Sequence, residues 1–93
     1  MKHKTKFQNK VYEIVKKIPR GKVMSYKEVA EKIGKPRAYR AVGNALNKNI
    51  DPTVHCHRVI RSNGSPGGYR KGTKEKIRLL KKEGLKIIKL EIQ

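Results

Sequence analysis

Cys56 is the single cysteine of a 93-residue chain, and His55 and His57 flank it in the stretch TVHCHRVIRSNG. A thiol between two imidazoles can ligate a metal, attack an electrophile, or do neither as a buried structural side chain. Structural zinc takes a full tetrahedral set of ligands from paired Cys and His spacings, whereas this chain has 1 Cys and 3 His. In an extended segment consecutive side chains alternate, so both imidazoles point away from the sulfur. No metal is expected. A lone cysteine is most often simply buried. The cationic setting speaks instead for a nucleophile, because adjacent His57 and Arg58 are expected to lower the thiol pKa.

Glu83 is the second candidate. It lies in the last turn of a helical pattern, where the dipole favours cations, and its i−3 and i−4 neighbours, Leu80 and Leu79, offer no basic partner. One reading is a solvated side chain near Lys86. The other is a carboxylate that reaches His57, giving a carboxylate–imidazole–thiol arrangement of the general triad kind. From these residues alone, structural thiol and activated nucleophile both stand.

The rest of the chain must position these groups. Against 25 Lys+Arg stand only 7 Asp+Glu, a net charge of +18. A domain this basic suits a polyanion, and nucleic acid is the natural partner because phosphate neutralisation releases counterions. An anionic membrane surface is the weaker alternative. MKHKTKFQNK lacks the apolar run of a signal peptide, no apolar stretch is long enough to span a bilayer, and one cysteine forms no internal disulfide. An intracellular, soluble protein is expected.

Thr5 and Gln8 form a capping-box signal, after which Phe7, Val11, Ile14, Val15 and Ile18 recur at helical spacing up to Pro19. Val23-Met24 is a short extended piece. Ser25 and Glu28 make a second capping box, with Val29, Ala30 and Ile33 on one face and Gly34 as the stop. A further helix is expected from Pro36, with Ala38, Ala41, Val42, Ala45 and Leu46 as its buried face and Arg37, Arg40 and Lys48 among its polar residues. Gly43 interrupts it, either for a close approach to a ligand or for helix packing. Two short helices about a Gly-containing turn form a helix-turn-helix. NKNIDPT is a loop leading into an extended VHCHRVI, RSNGSPGGYRKG a loop or hairpin, and Thr73 the cap of KEKIRLLKKEG, with Ile77 and Leu80 inward. LKIIKLEI alternates as one strand, Ile88, Leu90 and Ile92 against Lys89 and Glu91. The fold class is mainly α with a short extended segment, a winged helix-turn-helix-like DNA-binding domain.

SYKEVA, YRAVGNALNKN and HCHRV, in this order, resemble the O6-alkylguanine-DNA alkyltransferases, whose C-terminal catalytic domain has an S-Y-x-x-[LV]-A helix, an R-A-V-G helix and a PCHRV segment. The likeness runs from about Phe7 to Gly84. The resemblance implies that Cys56 accepts an alkyl group from O6 of guanine in duplex DNA, activated by His57 through a water, with Glu83 holding the imidazole. It further implies that Tyr26 crowds a phosphate and donates a proton to the departing O6, that Arg40 fills the vacated place in the stack, and that Asn49 braces the recognition helix against the active-site segment. Tyr69, Arg70 and Val54 would line the base pocket. Small Ala41 and Gly43 would let the recognition helix enter the minor groove. No cofactor is implied, and the expected state is a monomer.

Three departures from the family pattern stand out. His55 replaces Pro, six residues rather than one more separate Asn49 from Cys56, and Arg70 stands where Ser is frequent. The chain is also expected to form a single domain, 1–93, without the N-terminal domain of most active members. That pulls toward the alkyltransferase-like proteins, single-domain lesion sensors that typically have Trp or Ala in place of the nucleophile. A plain helix-turn-helix module with a structural cysteine is the third possibility. Cys56, His57 and Glu83 together favour the enzyme.

Overall fold

The computed structural model describes residues 4–85 together with 87, 88, 91 and 92. Helix α1 spans Lys6–Lys16, and Thr5 and Gln8 make the expected reciprocal cap, each backbone N–H donating to the other's side chain at 3.0 Å. Val11, Val15 and Ile18 are buried, with Phe7 and Ile14 packed at the edge. Tyr12 joins them, its hydroxyl donating to the Ala45 carbonyl at 2.6 Å and so tying α1 to the third helix. After β1, Met24–Ser25, comes α2, Tyr26–Ile33, with the Ser25–Glu28 cap at its start and Gly34 at φ +85° at its end. That left-handed stop lets the chain turn where a side chain would be strained.

Helix α3 spans Tyr39–Asn47, starting later than the Pro36 expected. A tight turn, with the Ala38 N–H donating to the Lys35 carbonyl, carries Pro36 and Arg37 instead. Val42, Ala45 and Leu46 face the core, but Ala41 is exposed, a correction to the predicted buried face. At 100° per residue Ala41 sits roughly a quarter turn off the stripe that those three define.

The expected extended VHCHRVI is only partly so. Cys56–Arg58 is a single turn of 3-10 helix, and just Val59–Ile60 is a strand, β2, which pairs parallel to β1 with Met24 opposite Val59. Helix α4 covers Thr73–Lys82; its cap is Gly72 at φ +98°, and Thr73 is the first helical residue, not the cap. Leu80 is buried as expected and Ile77 only partly so. The tail is a hairpin rather than one strand: β3, Ile87–Ile88, pairs antiparallel with β4, Glu91–Ile92, while Lys86, Lys89 and Leu90 lie outside the described residues.

The main core gathers α1, α2 and α3 around Val11, Val15, Val29, Val42, Leu46 and Val59. Burial of side chains of this size contributes about 1.5–3 kcal/mol each. Ile60 and Leu80 form a smaller cluster with Val23 and Leu85, which docks α4 onto the sheet. The result is the mainly helical architecture with a short extended segment. No helix among the described residues is long and apolar enough to cross a membrane.

Candidate active site and nucleic-acid interface

Cys56 opens the 3-10 turn, half-buried at the edge of the main core. Its thiol faces the Leu46 carbonyl at 3.7 Å and accepts from the Asn49 side-chain amide at 3.4 Å. Asn49 also closes its own loop: its amide donates to the Asp51 carbonyl at 2.9 Å, and its side-chain oxygen accepts from the Asp51 N–H at 3.2 Å. The shortened spacing therefore still brings Asn49 onto the sulfur. Burial pushes the Cys56 thiol pKa up, against the opposing hydrogen bond from Asn49. This corrects the expected lowering by adjacent cations. The reason is desolvation of the half-buried thiol, while the neighbouring Arg58 turns its charge toward Glu83.

Arg58 is buried and turns to Glu83, Nε donating to Oε1 at 2.9 Å and Nη2 to Oε2 at 2.8 Å, while Nη1 donates to the Ile18 carbonyl at 2.7 Å. Glu83 caps the end of α4 and meets His57 Nε2 with Oε2 at 2.7 Å. It is thus no solvated surface group. Burial alone would raise its pKa, but the hydrogen bonds from Arg58 and His57 outweigh that and bring it down to about 2. With Nε2 of His57 committed to a carboxylate, Nδ1 is the ring nitrogen left to take a proton. Spacing rules on a helix look only three or four residues away, so they missed a guanidinium from another segment.

In front of this group lies an open cleft of about 1460 Å³ lined by Tyr26, Arg40, Gly43, Asn49, Val54, Cys56, His57, Tyr69 and Arg70. The structure thus assembles most of the predicted residues on one concave surface. Glu83 stands behind His57 rather than in the cleft, and Arg37, Ala41 and Lys48 are exposed outside its lining. Arg70 reaches across, Nη1 donating to the Asn49 carbonyl at 3.1 Å. His55 also lines the cleft, its ring 6.2 Å from that of His57, and burial lowers its pKa. Burial raises the phenol pKa of both Tyr26 and Tyr69.

Glycines shape the wall around Tyr26. A Cβ on Gly67, which has φ +74°, would lie 2.8 Å from the Tyr26 hydroxyl, so the loop closes over the ring only because glycine is there. Gly43 differs: a Cβ there would meet the Tyr26 ring at 3.8 Å, an ordinary contact. Packing inside the domain does not require Gly43.

Three residues escaped the sequence reading. Tyr39 and Ile50, 46% and 80% exposed, flank the cleft as large apolar side chains in water. Lys76 is fully buried, its amine donating to Val59 and Gly68 carbonyls at 2.6 and 3.1 Å and to the Tyr26 hydroxyl at 3.3 Å. Its signal was its spacing, one turn before Leu80 on the inward stripe.

A strongly basic helical domain with an open cleft beside its second and third helices, a half-buried thiol in that cleft and an imidazole–carboxylate pair behind it is of a thiol-presenting class. Residues 6–85 match the family described as 6-O-methylguanine DNA methyltransferase, DNA binding domain, and the chain belongs to that family. It is 51% identical over 80 residues to a methylated-DNA–protein-cysteine methyltransferase of Methanosarcina barkeri, covering 85% of this chain and 51% of the relative. The chain spans about half the length of the curated relatives it matches. The structure of Mycobacterium tuberculosis OGT in complex with DNA superposes with a TM-score of 0.83 at 44% identity, over 87% of this chain and 51% of that one. S. pombe ATL in complex with DNA aligns with a TM-score of 0.76 at 34% identity, over 98% of this chain and 89% of that one. A further S. pombe structure, bound to damaged DNA containing O6-carboxymethylguanine, aligns with a TM-score of 0.80 at 31% identity.

Proposed function

We propose that this chain is the catalytic domain of an alkyltransferase that repairs O6-alkylguanine in duplex DNA by moving the alkyl group irreversibly onto Cys56. The observation that carries this reading is the 2.7 Å bond between His57 and Glu83 directly behind a thiol that lines an open cleft. A thiol whose pKa is raised by burial needs a base. His57 takes the Cys56 proton through a bridging water, the sulfur–carbon bond forms as the carbon–O6 bond breaks, and the released guanine takes a proton from Tyr26. One protein is consumed per lesion, no cofactor enters, and the domain acts as a monomer.

The DNA side follows from the cleft. A base inside a duplex hides its O6 substituent, so the nucleotide must be rotated out, at a cost of a few kcal/mol in unstacking. Arg40 on α3 is long, planar at its tip and always charged, suited to fill the gap and bond the orphaned base. Tyr26 crowds the phosphate, Gly43 and Ala41 leave α3 shallow enough to enter the minor groove, and Arg37 and Lys48 hold phosphates outside the cleft. Tyr69, Arg70 and Val54 surround the flipped base, and Asn49 braces the sulfur. Arg40→Ala is expected to slow repair in duplex by about tenfold to a hundredfold while barely changing reaction with the free alkylated base. Equal losses on both substrates would remove the stacking role from Arg40.

The direct test is the intact mass of the protein before and after one equivalent of duplex carrying O6-methylguanine. One added methyl, located on Cys56 by fragmentation, supports transfer. An unchanged mass with the lesion bound preferentially supports the second reading, a lesion sensor, for which the likeness to S. pombe Atl1 in complex with damaged DNA is the support. Unchanged mass without lesion preference leaves a plain DNA-binding module.

A further inference from the structure

Arg40, Gly43, Asn44 and Asn47 all lie on α3, and all line the cleft. Steps of three, four and seven residues from Arg40 place them on one face of the helix. Arg40 is the only charged residue of α3, although 25 of the chain's 93 residues are Lys or Arg. A face that met phosphates alone is better served by more cations. Asn44 and Asn47 are exposed; the side-chain hydrogen bonds of this region belong to Tyr12 and Asn49, and among the described residues neither amide takes part in one. Asparagine is a poor helix former, and neither residue caps an end of α3. Local preference favours Ala, Lys or Glu at both places, so the two amides are better explained by a use outside the domain. Gly43 is equally unused by internal packing, since a Cβ there would meet only the Tyr26 ring, at 3.8 Å. With no side chain at 43, the backbone of α3 comes close enough to a groove floor for short amides to touch base edges.

We infer that Asn44 and Asn47 are specificity-determining residues: they read the minor-groove edges of the base pairs beside the lesion and favour guanine there. The inference rests on the reading of this chain as an alkyltransferase whose third helix enters the minor groove. In that groove every base offers an acceptor, at N3 or O2, and only guanine adds a donor, its N2 amine. A carboxamide both gives and takes hydrogen bonds. Nδ2 donates to guanine N3 while Oδ1 accepts from N2; an A·T pair, with acceptors alone, leaves the second bond unmade. Arginine and lysine only donate, so they do not draw this distinction.

The helix also fixes where the preference falls. At 1.5 Å per residue, Asn44 and Asn47 stand about 6 and 10 Å along the axis from Arg40, or about two and three base-pair steps of 3.4 Å. Since α3 begins at Tyr39, one residue before Arg40, it extends only one way from the side chain that fills the vacated place. Discrimination therefore lies on one side of the lesion.

Second-order rates of transfer onto Cys56 test this, with O6-methylguanine duplexes that differ only in the pairs two and three steps away. Hypoxanthine in place of guanine deletes the N2 amine and leaves the major groove unchanged; 2,6-diaminopurine in place of adenine adds the amine. Duplexes with the amine are expected to react about three- to tenfold faster, the worth of roughly one hydrogen bond, on one side of the lesion only. Pairs without the amine open more easily, so a gain in rate with it runs against duplex stability and reports contact. Asn44→Ala combined with Asn47→Ala removes the advantage. Both positions are exposed and alanine favours helix, so this variant keeps the fold. A wild type indifferent to the amine, or an advantage that survives in the double variant, overturns the inference. A wild type that transfers no methyl at all sinks the alkyltransferase reading instead, and fluorescence anisotropy with the same duplexes then judges the amides separately, equal affinities refuting them.

Discussion

Cys56→Ala is expected to abolish transfer completely while binding to lesion-containing duplex stays within about threefold of wild type. On the proposed reading, truncation to Ala removes the atom that would form the new bond, so no residual rate is expected through another group. It also strips a partner from the Asn49 amide, a local loss of about 1 kcal/mol. Affinity is expected to depend on other parts of the molecule: a net charge of +18 and the exposed Arg40 of α3, with Arg37 and Lys48 beside the helix, offer phosphate neutralisation that does not involve the sulfur. Intact mass reads the first quantity and fluorescence anisotropy with labelled duplex the second. A methylated Cys56→Ala protein shows that the nucleophile lies elsewhere. Loss of binding in step with transfer shows that the thiol region carries affinity.

Glu83→Gln has the second large effect, on stability as well as on rate. The amide keeps the shape of the side chain and deletes the charge that Arg58 and His57 share. Removing one partner of a buried pair strands the other, typically at a cost of about 3–5 kcal/mol. The pH dependence has a definite sign. Because the folded carboxyl pKa is depressed to about 2 from 4.5, its contribution is fully present above 4.5 and is lost as pH falls toward 2. Urea unfolding at neutral pH and again near pH 2 is expected to show a wide gap between wild type and Glu83→Gln that narrows in acid. A gap independent of pH places the stabilisation in packing and not in charge.

What the sequence made legible was mostly local. Both capping boxes and the Gly34 stop depend on residues within one or two turns, and they form as expected. Cys56 and His57 stood out because thiol and imidazole are rare in this chain, and Tyr26, Arg40 and Tyr69 because their motifs resemble a family. The misses share a different origin. Glu83 finds Arg58 25 residues away, beyond any helix-spacing rule. Ala41 was counted on the buried face, but at 100° per residue it falls about a quarter turn off the stripe of Val42, Ala45 and Leu46. Lys76 looked like one more solvated base among 25 Lys+Arg, and only the closing of the 59 and 68 carbonyls around it makes the interior habitable for an amine. The thiol pKa was misjudged because charge counted along the chain ignores the burial that raises it.

Arg58 has one more consequence. Its guanidinium grips the segment just beyond α1 through the Ile18 carbonyl and the end of α4 through Glu83, and the same carboxylate holds His57. Early and late segments of the polypeptide are thus clasped by the very group that aims the imidazole. Fraying at either segment releases the clasp and misaligns the base together. On the proposed alkyltransferase reading, competence at Cys56 is therefore tied to the docking of both segments, and a half-assembled copy would have no aimed imidazole behind its sulfur.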